Sequence, residues 1–124
     1  MDDHTATVVI GEPDQATSVL YQRTLGAVFT VLAAPNTATI LELLRSRPVV
    51  AVILEPALFH PNSWDQMEVV SQACAKAGVP LVICSAQDER RRGRALGAAA
   101  YLVKPTLPTT LLETVRQVLY PTAG

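Results

Sequence analysis

Five polar residues follow closely behind short apolar runs: Glu12 and Asp14 in "VVIGEPD", Glu55 in "AVILEPALF", Ser85 in "LVICSA" and Lys104 in "AYLVKP". A lone acid at the end of an apolar run is ordinarily a strand end meeting water, but carboxylates, a hydroxyl and an ammonium at matching ends form a constellation. If the first and third runs are neighbours, Glu12 and Glu55 lie close together, and Lys104 can offset their repulsion. Such a crevice has two chemical outcomes. Held open, Glu12, Glu55, Ser85 and Lys104 would line a ligand-binding or enzymatic site; closed by a Glu55–Lys104 pair, it leaves no room for substrate.

The elements that must position these groups can be read from periodicity. Five apolar, β-branched runs read as strands: "ATVVI" (6–10), "VFTVLA" (28–33), "VVAVIL" (49–54), "LVIC" (81–84) and "AYLV" (100–103). Helical spacing follows each: Val19, Leu20 and Tyr21; Ile40, Leu41 and Leu44; Trp64, Met67, Val70 and Cys74; and finally Leu111, Leu112, Val115, Val118 and Leu119. The segment 87–97 is the exception, with an apolar face of little more than Ala95 and Leu96 and a Gly93 that costs about 1 kcal/mol against alanine, so its helix is expected to be short or mobile. Ser63 and Gln66 have the spacing of a capping box, Pro13 suits a first helical turn, and Gly26 and Gly78 fall where helices should end. The final "YPTAG" reads as a frayed tail.

Strands apolar on both faces and alternating with helices imply an α/β fold. The expected architecture is a doubly wound, five-stranded parallel sheet in the order 2-1-3-4-5, covered on both sides. Polar chemistry in such sheets gathers beyond the carboxyl ends of the strands. All five polar groups belong to that edge.

Composition narrows the function classes. A chain of 124 residues, 49% of them hydrophobic, fits a single domain over 1–124, with its core from about 6 to 119. Ten basic against 11 acidic residues leave a formal charge of −1, so no global field draws the protein to nucleic acid or anionic lipid. No apolar run approaches the ~20 residues of a membrane span. The opening "MDDHTATVVI" carries acids where a secretory signal would be positive, which implies a cytoplasmic protein. Cys74 and Cys84 lack zinc or redox spacing and read as buried thiols. No glycine-rich phosphate loop, nucleophile elbow or Ser-His-acid set is present, which makes an enzyme the weakest reading.

From Ala6 to Leu119 the sequence resembles the receiver domains of two-component response regulators. The resemblance is carried by "GAAAYLVKP" (97–105), similar to that family's segment ending in Lys-Pro, and by "VPLVICSA" (79–86), similar to its hydroxyl-bearing fourth strand. It implies a flavodoxin-like fold and a site in which an acidic pair and an aspartate hold magnesium. The aspartate accepts a phosphoryl group, which the hydroxyl and lysine read. By position, Ser85 takes the hydroxyl role, Lys104 the lysine, Tyr101 the switching aromatic and Glu12 the first acid, and the Lys104–Pro105 peptide should be cis.

Two positions depart from the pattern. Pro13 stands where the second acid belongs, and Glu55 where the phosphorylated aspartate belongs. Asp14, grouped with Glu12 as the acidic pocket, is one residue further along and should point elsewhere. Ala57 should offer only its backbone carbonyl, and "FHPNSWDQ" replaces the usual glycine opening the third helix. Magnesium relies on one or two carboxylates in near-octahedral geometry, so binding is expected to be weak or absent. Glu55 is one methylene longer than aspartate, displacing its carboxylate by roughly 1.3 Å, and misplacements of about 1 Å can cost 10²-fold in a positioned reaction.

The expected function is therefore a receiver-like signalling domain that acts by protein–protein interaction without conventional aspartyl phosphorylation. Its partner would be a histidine kinase or downstream signalling protein, or a second copy through the fourth helix, fifth strand and fifth helix. A phosphoacceptor with a tolerant site is the alternative, and a small α/β ligand-binding or enzymatic domain the third. Elsewhere, "ERRRGR" (89–94) reads as a solvated face, His60 as a surface histidine, and Trp64, Met67 and Val70 as a core stripe. Tyr101 fits either a packed strand position or an outward one.

Overall fold

The computed structural model describes residues 3–122. The elements run β1 (Asp3–Gly11), α1 (Gln15–Leu25), β2 (Phe29–Ala33), α2 (Thr37–Ser46), β3 (Val49–Leu54), a 3-10 helix (Pro56–Phe59), α3 (Ser63–Ala77), β4 (Leu81–Ser85), α4 (Arg90–Leu96), β5 (Ala100–Val103) and α5 (Pro108–Leu119). The strands pair in parallel in the order β2-β1-β3-β4-β5. This is the expected doubly wound architecture.

Period-2 alternation sorts each strand between two cores. Val8, Ile10, Ile53 and Val82 pack on Tyr21 and Leu25 of α1 and on Leu111 and Val115 of α5. Val9, Val52, Leu54 and Ile83 pack on Ile40 of α2 and on Met67, Val70 and Cys74 of α3. Both faces are covered, and the runs 8–10, 49–54 and 81–84 carry no polar side chain before the carboxyl edge.

Local chemistry sets the helix ends. Asp14 and Asn36 accept backbone N–H bonds from Thr17 and Thr39, each at 2.9 Å, and so cap α1 and α2. Pro13 accordingly lies before α1, outside its first turn. The expected capping box does not form: α3 follows Asn62, which makes no side-chain cap, and Gln66 Oε1 instead accepts from Thr37 Oγ1 of α2 at 2.6 Å. A partner on a neighbouring helix has displaced the local one. Gly26 and Gly78 close α1 and α3, the latter with φ of +69° in the left-handed region.

The fourth helix is short, with seven residues. Its Gly93 has a packing reason: a Cβ there would stand 2.5 Å from Tyr101 Cδ2. The tail prediction is only partly covered. Tyr120 is exposed, and residues 123 and 124 lie outside the described residues.

Candidate functional site

Strand order brings three chain segments to one point. Glu55 N–H donates to Gly11 O at 2.9 Å, and Lys104 N–H donates to Ser85 O at 2.8 Å, so adjacent strand ends are tied before any side chain contributes. Glu12, Glu55 and Lys104 then converge in the crevice. Lys104 Nζ donates to Glu12 Oε1 at 2.5 Å and to Glu55 Oε1 at 3.3 Å. The carboxylates are 4% and 7% exposed and the lysine side chain 19%, so one ammonium serves two buried acids.

Glu55 does more than pair. Its Oε2 accepts from the Ala57 N–H and its Oε1 from the Ala86 N–H, each at 3.2 Å. One carboxylate therefore joins the turn after β3, the β4–α4 loop and the segment after β5. Ala57 contributes its N–H rather than only its carbonyl, because the 3-10 turn beginning at Pro56 points that amide back at the Glu55 side chain. The remaining oxygen of Glu12, Oε2, accepts from Asp14 N–H at 3.0 Å.

The environment holds Lys104 charged. Burial opposes the ammonium, but the Glu12 hydrogen bond and the charges of Glu12 and Glu55 outweigh it and push its pKa above 10.5. Beneath the crevice, burial raises Tyr21, whose hydroxyl donates to Thr106 O at 3.2 Å and lies 3.7 Å from Cys84 Sγ. Burial likewise raises both thiols, Cys74 to about 11.

The other sequence-selected residues divide. Ser85 is buried at the β4 end, and its Oγ accepts from Gln87 N–H at 3.1 Å. Asp14 does not join the acidic pocket: its Oδ2 accepts from Thr17 N–H and from Thr17 Oγ1, and these bonds pull its pKa below 3.8. Tyr101 is half-buried, with its ring on Gly93 and its hydroxyl donating to Gln87 O at 2.6 Å while accepting from Glu89 N–H at 3.1 Å. The Lys104–Pro105 peptide is cis, and so is His60–Pro61, which nothing in the sequence marked. His60 is exposed. Met67 and Val70 are core, and Trp64 is half-buried and packs against that core, with the Arg92 guanidinium 4.6 Å from its ring centroid.

No family model matches the sequence, and no curated relative does. Solved structures do. The non-phosphorylated HemR receiver domain from Leptospira biflexa is 24% identical with a TM-score of 0.76, covering 96% of this chain and 98% of that one. A CheY-like response regulator receiver domain from Methanospirillum hungatei gives a TM-score of 0.79 at 18% identity, over 92% and 93% of the two chains. This chain has the receiver fold. Chemotaxis protein CheY4 of Vibrio cholerae adds a TM-score of 0.78 at 22% identity, over 92% and 98%. Within that receiver fold, the residues that sequence reasoning missed are the Ala57 and Ala86 amides and Gly93. Backbone donors leave no side-chain signature, whereas Gly93 was visible as a glycine inside a helix and was read only as a weakness.

Proposed function

We propose that this domain is a receiver-like signal-transduction module that works by protein–protein contact, with Glu55 standing permanently where a phosphorylated side chain would otherwise act. The observation that carries this reading is the partner set of Glu55: one ammonium and two backbone N–H groups from three different loops. A fixed anion with such donors holds those loops in one arrangement without any covalent modification. The donor set also suits magnesium poorly. Pro13 has no side-chain oxygen, Asp14 is committed to its helix cap, and the lysine lies on both remaining carboxylates.

In this reading Ser85, Tyr101 and Lys104 form the route from the crevice to the surface. Tyr101 ties β5 to the β4–α4 loop, and the neighbouring exposed Val103 and Leu107 offer apolar contact to a kinase, a downstream signalling protein or a second copy meeting α4, β5 and α5. None of the described helices is long and apolar enough to cross a membrane; a cytoplasmic placement is part of this proposal.

The test is incubation with a small acyl phosphate and magnesium, followed by intact mass. No added phosphoryl group is expected. A stable adduct of one phosphoryl group would replace this reading with that of a tolerant phosphoacceptor.

A further inference from the structure

We propose that the cleft between the start of α3 and the β4–α4 loop binds a small organic cation, an ammonium or amidinium carried on a compact apolar body. The cavity measures about 270 Å³, close to nine times the ~30 Å³ that a water occupies in the liquid. That is room for one ring and a short amine arm. Its apolar walls are the Trp64 indole with Pro56, Ala57 and Ala86.

Glu55 and Glu89 supply carboxylates to the cleft, His60 is its remaining titratable group, and no lysine or arginine lines it. Lys104 offsets Glu55 from the crevice behind. Glu89 makes no ion pair and no side-chain hydrogen bond among the described residues, and it stands between this cleft and an open depression lined by Arg90, Arg91 and Arg94.

Trp64 already shows which chemistry its ring accepts. The Arg92 guanidinium sits on it, but Arg92 lies in an adjoining open depression with Asp65 and does not enter the cleft. An indole face attracts a cation through its quadrupole, and the nearby exposed Glu89 carboxylate adds a modest attraction. An anion would meet two carboxylates, and a neutral ligand would forgo both terms. Because the cleft shares Glu55 and Ser85 with the crevice, its occupant would place a second positive charge near Glu55, opposite Lys104.

Trp64 is the single tryptophan, so its indole N–H gives one unambiguous signal in a proton–nitrogen correlation spectrum. Titration of the intact chain with phenethylamine at neutral pH is expected to move that signal and the Ala57 and Ala86 amides saturably. Its neutral analogue phenylethanol and the anion phenylpropionate should bind about tenfold more weakly or less. Glu89→Gln, at an exposed position, should weaken the amine severalfold and leave the alcohol unchanged. Equal binding of amine and alcohol, no response to Glu89→Gln, or shifts confined to residues outside the cleft would each overturn the proposal. None of these outcomes bears on the phosphoryl-transfer result, which tests Glu55 alone.

Discussion

Lys104 Nζ lies 2.5 Å from Glu12 Oε1 across 92 positions of sequence, and both side chains are largely withdrawn from water. Removing one partner of a buried ion pair leaves the other uncompensated, at a typical cost of about 3–5 kcal/mol. Lys104→Met should incur a loss of that order at pH 7 in chemical denaturation. The alkaline side carries a further sign. Since folding raises the Lys104 pKa above 10.5, its contribution is complete below that value and is lost as pH rises through the folded-state pKa. The native protein should therefore lose stability above about pH 10.5 in a way the methionine variant does not. Parallel alkaline profiles of the two proteins would contradict the pairing.

Glu55→Asp should loosen the loops that the carboxylate joins. Withdrawing the oxygens by roughly 1.3 Å stretches the 3.2 Å bonds to Ala57 and Ala86 past hydrogen-bonding range. Both amides should exchange with deuterium several-fold faster, while Val52 and Ile53 in the middle of β3 keep their protection. Unchanged exchange at Ala86 would show that the loop holds itself.

Gly93→Ala is expected to destabilise the protein although alanine is the better helix former. The new Cβ meets Tyr101 at 2.5 Å, and such overpacking typically costs about 1–3 kcal/mol. In a Tyr101→Ala background the same change should turn stabilising, by up to about 1 kcal/mol from helix propensity. A double-mutant cycle reads the coupling directly. Simple additivity would mean that glycine is there for another reason.

Asp14→Ala should lower the thermal midpoint at neutral pH through loss of the α1 cap. Hydrogen bonds from Thr17 hold the Asp14 pKa below 3.8, so its contribution is present above that value and disappears as pH falls through the lower, folded-state pKa. Melting curves of the two proteins should converge as the pH falls well below 3.8. A constant offset down to that range would assign the effect to something other than the carboxylate.

How much of this was legible in the sequence depends on the distance over which each signal acts. The five strands and the convergence of Glu12, Glu55 and Lys104 follow from apolar runs and from the rule that parallel α/β sheets place polar groups at one edge. Asp14 was misgrouped because a carboxylate in a loop and a carboxylate capping a helix look alike until the helix start is fixed. Ser63 and Gln66 had capping-box spacing, yet Thr37 on a neighbouring helix offered Gln66 a partner that local pattern cannot reveal. Gly93 and Tyr101 are eight residues apart, and only the packing of α4 against β5 shows that one makes space for the other. The Ala57 and Ala86 donors belong to the backbone, where residue type carries no information.

The lysine that lies on the two carboxylates is covalently part of the chain, and this gives the crevice a kind of autonomy. A diffusible counter-ion is present only as its concentration in the surroundings allows, whereas a tethered one has an effective concentration fixed by geometry. Dilution and chelators leave such a tethered charge in place. If the domain works as proposed, the arrangement of the three loops rests on a charge that the chain itself supplies rather than on one drawn from the medium.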